Sequence, residues 1–156
     1  MLRITKQTDY GVMLLGRLAE LPDETVLSAR DAAEWSGLSL PMVSKILKSL
    51  TRGRIVVSHR GVGGGYSLAQ PAKSISVASV IRALEGPISM VECGAFPGQC
   101  DQETICPVRV NWNRINGVIE RALELVPISE MLDPESEELL ALGGNAARNE
   151  SRCKTN

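Results

Sequence analysis

Residues 26–68 place the tightest limits on how this chain folds. The stretch reads V-L-S-A-R-D-A-A-E-W-S-G-L-S-L-P-M-V-S-K-I-L-K-S-L-T-R-G-R-I-V-V-S-H-R-G-V-G-G-G-Y-S-L. Ser28 can accept the free amides at a helix start, which predicts a short helix from there to Ser36, and Gly37 breaks it. A second helix begins near Ser39 or Leu40, with Pro41 in the first turn, where a missing N–H costs nothing. Met42, Val43, Ile46, Leu47 and Leu50 recur at helical spacing and form one apolar side. Ser44, Lys45, Lys48 and Arg52 are left for the other faces, and Gly53 ends the helix. Two helices joined by so short a turn outline a helix-turn-helix, whose second helix enters a groove of double-stranded DNA.

A hairpin follows. Ile55-Val56-Val57 is β-branched and suits a pleated sheet, and Tyr66-Ser67-Leu68 can pair with it. Between them, four glycines within five residues (Gly61, Gly63, Gly64 and Gly65) permit a sharp reversal and a close backbone approach to a ligand. With His59 and Arg60 they make the wing of a winged helix, laid against a phosphate backbone or a minor groove. A glycine-rich loop could instead cradle a nucleotide phosphate. This one lacks the Lys-Ser/Thr ending of a P-loop and precedes a strand rather than a helix. A purely structural hairpin is the remaining alternative.

The formal net charge of −1 does not announce a nucleic-acid binder, but the local distribution does. Between residues 30 and 60 the basic residues are Arg30, Lys45, Lys48, Arg52, Arg54 and Arg60, against Asp31 and Glu34 alone. Acidic residues dominate between Glu120 and Glu138. Aromatic residues make up only 3%, so aliphatic side chains must fill the core. No apolar run is long enough to span a bilayer and the N-terminus has no secretory pattern, so the expected setting is cytoplasmic, without membrane. The expected fold is mainly α with a small β-hairpin wing: a winged helix-turn-helix plus a long dimerisation helix.

Four segments are expected. Residues 1–86 form the DNA-binding domain, and 87–107 a cysteine loop that holds a cofactor. Residues 108–132 form a dimerisation helix and a short final turn, and 133–156 a weakly structured tail that includes Cys153. In the first segment a helix from Tyr10 to Glu20 is expected, with Thr8 or Asp9 at its cap, and Arg3 and Lys6 are candidate phosphate contacts. Another runs from Ser76 or Val77 to Leu84 or Glu85 and stops at Gly86-Pro87. The long helix carries Val108, Trp112, Ile115, Val118, Ile119, Ala122, Leu123 and Val126 at spacings dominated by three and four, which suits a homodimer through residues 108–126. A further weak helix is expected over residues 135–142. No acid–base pair is evident and the single histidine is on the wing, so an enzyme is not expected.

Cys93, Cys100 and Cys106 have six and then five residues between them. Thiolates near the start of a helix are favoured, and Cys106-Pro107 is expected at the entrance of the long one. Three close thiolates suit an iron–sulfur cluster, zinc or a metal-free redox switch. The spacing is wider than zinc sites use, which favours a cluster, 2Fe–2S or 4Fe–4S. A fourth ligand is then missing, and a carboxylate or an exogenous ligand can fill it.

These motifs together resemble the winged-helix repressors that sense iron–sulfur status or nitric oxide, typified by IscR and NsrR. The resemblance covers about residues 1–132. It is carried by L-R-I-T-K-Q-T-D-Y, S-G-L-S-L-P-M-V-S-K-I-L-K-S-L-T-R-G-R-I-V, R-G-V-G-G-G-Y-S-L and the three-cysteine loop. The nearest branch is that of regulators of the SUF cluster-assembly operon. The resemblance implies a cluster held by Cys93, Cys100 and Cys106, although the first gap is one residue longer than usual. Arg109, which cannot ligate, stands where one branch has a histidine ligand. Asp9 matches the aspartate that another branch supplies from the other subunit, with Glu92 and Glu103 as other carboxylates nearby. The implied DNA-contacting set is Arg3, Lys6, Ser39, Met42, Ser44, Lys45, Lys48, His59, Arg60, Gly63, Gly64 and Gly65. Ser44 replaces a glutamate used by IscR, and Arg60 matches a wing arginine that enters the minor groove. The expected function is cluster-dependent repression of iron–sulfur assembly genes. The rivals are a nitric-oxide-sensing repressor and a non-DNA-binding redox or scaffold protein of the same fold.

Overall fold

The computed structural model describes residues 4–22, 25–91, 94, 96, 98, 100–102 and 104–133. Arg3, Glu92, Cys93, Glu103, Cys153 and the helix expected over 135–142 lie outside the described residues.

The first helix, α1 (Lys6–Glu20), starts a turn earlier than expected, and Thr5 rather than Thr8 or Asp9 is its cap. The Thr5 hydroxyl accepts the Gln7 amide at 3.2 Å. A partner far along the chain decides between these candidates. The Glu85 carboxylate accepts from the Thr5 hydroxyl, from the Thr5 amide at 3.3 Å and from the Thr8 hydroxyl at 2.6 Å. Thr8 is therefore buried inside the helix, and Asp9 stands exposed in its first turn.

The helix-turn-helix follows as expected. In α2 (Ala29–Ser36) the Ser28 oxygen accepts the Asp31 amide at 3.1 Å, and the helix ends at Gly37, whose φ of 69° suits a residue without a side chain. In α3 (Leu40–Arg52) Pro41 lies in the first turn. The helix ends at Gly53, as expected, but without the left-handed turn that a terminal glycine often takes. Gly53 keeps right-handed geometry, and Arg54 takes the left-handed position at φ 59°. Gly53 is small for another reason: a Cβ there would lie 2.6 Å from the Ala83 Cβ on the next helix.

Strands β1 (Val56–His59) and β2 (Gly65–Leu68) pair antiparallel, with Val56 opposite Leu68 and His59 opposite Gly65. Ile55 is not in the strand. It is buried beneath it, with its amide on the Leu50 carbonyl. Leu27 adds a bridge to Tyr66 through two 2.9 Å backbone bonds. A Cβ on Gly65 would lie 2.7 Å from the Leu27 oxygen, so that approach requires glycine.

Helix α4 (Val77–Glu85) is capped by Ser76 and ends at Gly86, φ 95°. The core between α1, α3 and α4 is aliphatic: Leu14 and Leu15 meet Val43, Ile46, Leu47 and Leu50, together with Val80 and Ile81. Helix α5 (Arg109–Glu124) packs beside α4, where Arg82 reaches Glu120 and Glu124. The chain then returns to the head. Val77 N donates to the Val126 oxygen at 2.8 Å and Ile128 N to the Ile75 oxygen at 2.7 Å. Helix α6 (Ile128–Leu132) seats a fully buried Ile128. Among the described residues no helix is long and apolar enough to cross a membrane.

Two predictions follow from this packing. Gly53→Ala forces α3 away from α4 and is expected to cost about 1–3 kcal/mol, read as a lower urea midpoint at unchanged slope. A wild-type midpoint would mean that α4 gives way freely. The second concerns Glu85. Burial pushes its carboxyl up, but the hydrogen bonds from Thr5 and Thr8 and the charge of Lys45 outweigh this and hold it below its usual value. A carboxyl lowered by folding stabilises above the ordinary glutamate range, and that contribution is lost as pH falls through the lowered value. The stability gap between wild type and Glu85→Gln should therefore be widest near neutral pH and close on acidification. A gap independent of pH would refute this.

Candidate functional site

The outer side of α3 is built by its own periodicity. Burial of Val43, Ile46, Leu47 and Leu50 turns Pro41, Met42, Lys45, Lys48 and Arg52 outward, with Ser44 half-buried and Ser39 exposed just before the helix. The Arg52 guanidinium bends back to donate to the Ser49 hydroxyl at 3.0 Å, leaving Lys45 and Lys48 as the projecting cations.

Between α3 and the hairpin lies a cleft of about 530 Å³ lined by Lys45, Lys48, Thr51, Arg52, Ser58 and Tyr66. Two projecting lysines give this concave surface a basic rim, with Ser58 and Tyr66 on its hairpin side. Thr51, Arg52, Ser58 and Tyr66, which line this cleft, were not among the candidate residues expected from sequence. A signal existed for the last two. Ser58 and Tyr66 are opposite each other across the hairpin, so they share one face once the register is known. A second cleft, of about 400 Å³ between α1 and β2, has no charged lining residue among the described residues and offers a polyanion nothing.

At the hairpin tip His59, Arg60, Val62 and Gly63 are exposed, and Val62 is fully so. His59 Nε2 meets the Ser67 hydroxyl at 2.8 Å, which ties the histidine to the opposite strand. Gly61 and Gly63 take positive φ. Gly64 is crowded: a Cβ there would lie 2.9 Å from the Gly61 oxygen. The tip is a thin, tightly folded ribbon with Arg60 at its edge. Lys6 is exposed in the first turn of α1, two residues after Ile4.

The described part of the cysteine loop carries Cys100 and Cys106, both free thiols and both half-buried. Cys106 lies at the approach to α5, where its carbonyl accepts the Arg109 amide at 3.4 Å, as its position in the sequence predicts. Arg109 occupies the first position of α5. Among the described residues, no three of His, Cys, Asp and Glu come close enough to share a metal ion, so Asp9, Cys100 and Cys106 are not one group within a single chain. Asp9 is exposed, and since Thr5 caps the helix its carboxylate is left without that structural role.

Comparison with known proteins agrees with this arrangement. The profile of the Rrf2 family, described as an iron-dependent transcriptional regulator, matches residues 4–134. Protein rrf2 of Nitratidesulfovibrio vulgaris (strain Hildenborough) is 28% identical over 131 residues, covering 84% of this chain and 87% of that one. The structure of CymR, the global cysteine regulator of B. subtilis, superposes with a TM-score of 0.62 at 28% identity, over 85% of this chain and 97% of that one. IscR of T. potens superposes with a TM-score of 0.60 at 28% identity, over 88% and 90% of the two chains. With a basic outer helix, a glycine ribbon beside it and a family profile spanning most of its length, the chain belongs to the Rrf2 family of winged helix-turn-helix transcriptional regulators, DNA-binding proteins rather than enzymes.

Proposed function

We propose that the protein is a homodimeric transcription regulator whose DNA binding depends on an iron–sulfur cluster, and that it represses iron–sulfur assembly genes of the SUF type. The observation that carries this reading is the position of the thiols. Cys100 and Cys106 are free, partly exposed and placed on the segment that joins the winged head to α5. Soft thiolates on an irregular loop fit a 2Fe–2S or 4Fe–4S cluster, with Cys93 as the third ligand. When bound, the cluster supplies sensitivity to oxidation and to nitric oxide. The chain supplies the lever.

Along α5, Val110, Ile115, Val118 and the following Leu125 are 60, 45, 58 and 68% exposed, an apolar face left open on a helix whose other side rests on the head. A second copy covers this face in the proposed dimer, through residues 108–126. Asp9, a free carboxylate on the DNA-binding half, is the proposed fourth ligand across the dimer. Lys6, Lys45 and Lys48 meet phosphates, Ser39, Met42 and Ser44 meet base edges, and Arg60 enters the minor groove from the wing beside His59 and Gly63–Gly65. Arg3 is proposed to extend the phosphate track. The free carboxylate of Asp9 also favours a second reading, a nitric-oxide-responsive repressor of the same architecture. Gel shifts on cluster-assembly and nitrosative-stress promoters separate the two.

The test is iron, sulfide and the visible spectrum of oxygen-free protein, for wild type and Asp9→Ala. The expected result is about two or four irons with matching sulfide per chain, and a spectrum lost or shifted in the variant. An unchanged spectrum removes Asp9 from the ligand set, and colourless protein with stoichiometric zinc overturns the cluster. On DNA, Lys48→Ala should weaken all duplexes alike and lower the salt slope by about one unit. Arg60→Ala should reduce preference for AT-rich minor grooves. Sequence-selective loss in the first or uniform loss in the second would reverse these assignments.

A further inference from the structure

Helix α5 is exposed along most of its length, and its one buried residue is polar. Asn116 is 9% exposed. Both ends of its amide are used: Oδ1 accepts from the Met90 amide at 2.9 Å, and Nδ2 donates to the Ser89 hydroxyl at 3.0 Å. Ser89 is 1% exposed and makes a tight turn of its own. Its hydroxyl donates to the Val91 oxygen at 2.7 Å and accepts the Val91 amide at 3.3 Å. The Gly94 amide then donates to the same Val91 oxygen at 3.1 Å. Gly94 rests directly on the pair: a Cβ there would lie 2.6 Å from Asn116 Nδ2 and would also collide with the Ser89 hydroxyl. Residues 89–91 and 94 are thus pinned to the middle of α5.

Gly94 is the residue after Cys93. The structure assigns Asn116, with Ser89, the role of a positioning residue that anchors the first cysteine arm to α5 and so couples the cysteine loop to the dimer helix. This inference rests on the cluster reading above and adds the element through which the loop acts. The amide ligates nothing, because both its ends are already bonded. Its contribution is geometric. An apolar residue at position 116 would leave the Met90 amide and the buried Ser89 hydroxyl without this partner, so the turn would detach. The Arg82 bridges to Glu120 and Glu124, by contrast, are half-exposed and tie α5 to the head rather than to the loop.

The experiment compares wild type, Asn116→Ala and Gly94→Ala, the second variant disturbing the same node while leaving α5 intact. One arm measures amide hydrogen exchange in reduced, metal-free protein. The other measures affinity for a duplex enriched from a random pool by the wild type, with and without the cluster. Exchange at the Met90, Val91 and Gly94 amides is expected to rise about tenfold or more, while α1–α4 keep their protection. The affinity ratio between cluster-loaded and cluster-free protein, about 5–150-fold in coupled systems, is expected to collapse towards one in both variants. Wild-type exchange in the variants, or a wild-type ratio, overturns the proposal, as does a wild-type protein whose two forms bind DNA equally. If the wild type binds no iron and sulfide, the cluster reading falls instead, and the exchange arm alone decides whether Asn116 anchors the loop.

Discussion

The Glu85 carboxylate decides where α1 begins and how that start meets α4. It closes the start of α1 through Thr5 and Thr8, lies at the last turn of α4, and sits within the field of Lys45 on α3. One acidic group thus ties the start of α1 to the end of α4. Desolvating it opposes ionisation, and the hydrogen bonds that offset this cost come from residues 77 and 80 positions away. Without that bond set, α1 could begin at any of three competing caps, and Lys6 and Asp9 would turn with it. The position of an exposed carboxylate on one surface and of a projecting lysine on another both trace to this contact.

The features that were legible from sequence are local ones. Ser28, Ser76, Gly37 and Gly86 act within a turn of themselves, so their caps and stops appear where residue type places them. What escaped depends on partners distant in sequence. Gly53 reads as a helix terminator and is one, but its close approach to Ala83 and the left-handed turn at Arg54 are not visible in the sequence. The apolar residues of α5 read as one stripe. In space they divide: Ile119 and Leu123 turn to the head, while Trp112, Ile115 and Val118 face outward. A helix hydrophobic on two sides cannot be told from one with a wide single face until its first partner is known. Asn116 reads as an ordinary polar position and is the buried one. The candidate DNA surface was half legible for the same reason. Lys45 and Lys48 follow from helical spacing, whereas Ser58 and Tyr66 required the hairpin register.

The architecture separates two kinds of bonding. The head is held by aliphatic contact, with Leu14, Leu47, Leu50, Val80 and Ile81 excluding water almost completely. These side chains carry no titratable group; the pH-dependent contact of the head is Glu85 at its edge. The segment approaching the cysteines is held by hydrogen bonds on Ser89 and Asn116 instead. Directional bonds of this kind have few alternatives in a dry site and are either made or lost. Under the proposed cluster mechanism, a signal at the loop would act on these hydrogen bonds rather than on the packed core.

Ile128 has a consequence for how the protein is made. It is fully buried in the head, and its amide bonds to Ile75, although α5 and the cysteine loop lie between the two in the chain. The head's core closes only around a residue that is synthesised late. During translation the ribosome must therefore release the cysteine loop and the whole of α5 before the DNA-reading surface is held firmly from behind. A nascent chain with a complete recognition helix but no loop still lacks part of its core. The core behind α3 is therefore complete only once residues beyond the cysteine loop and α5 are in place.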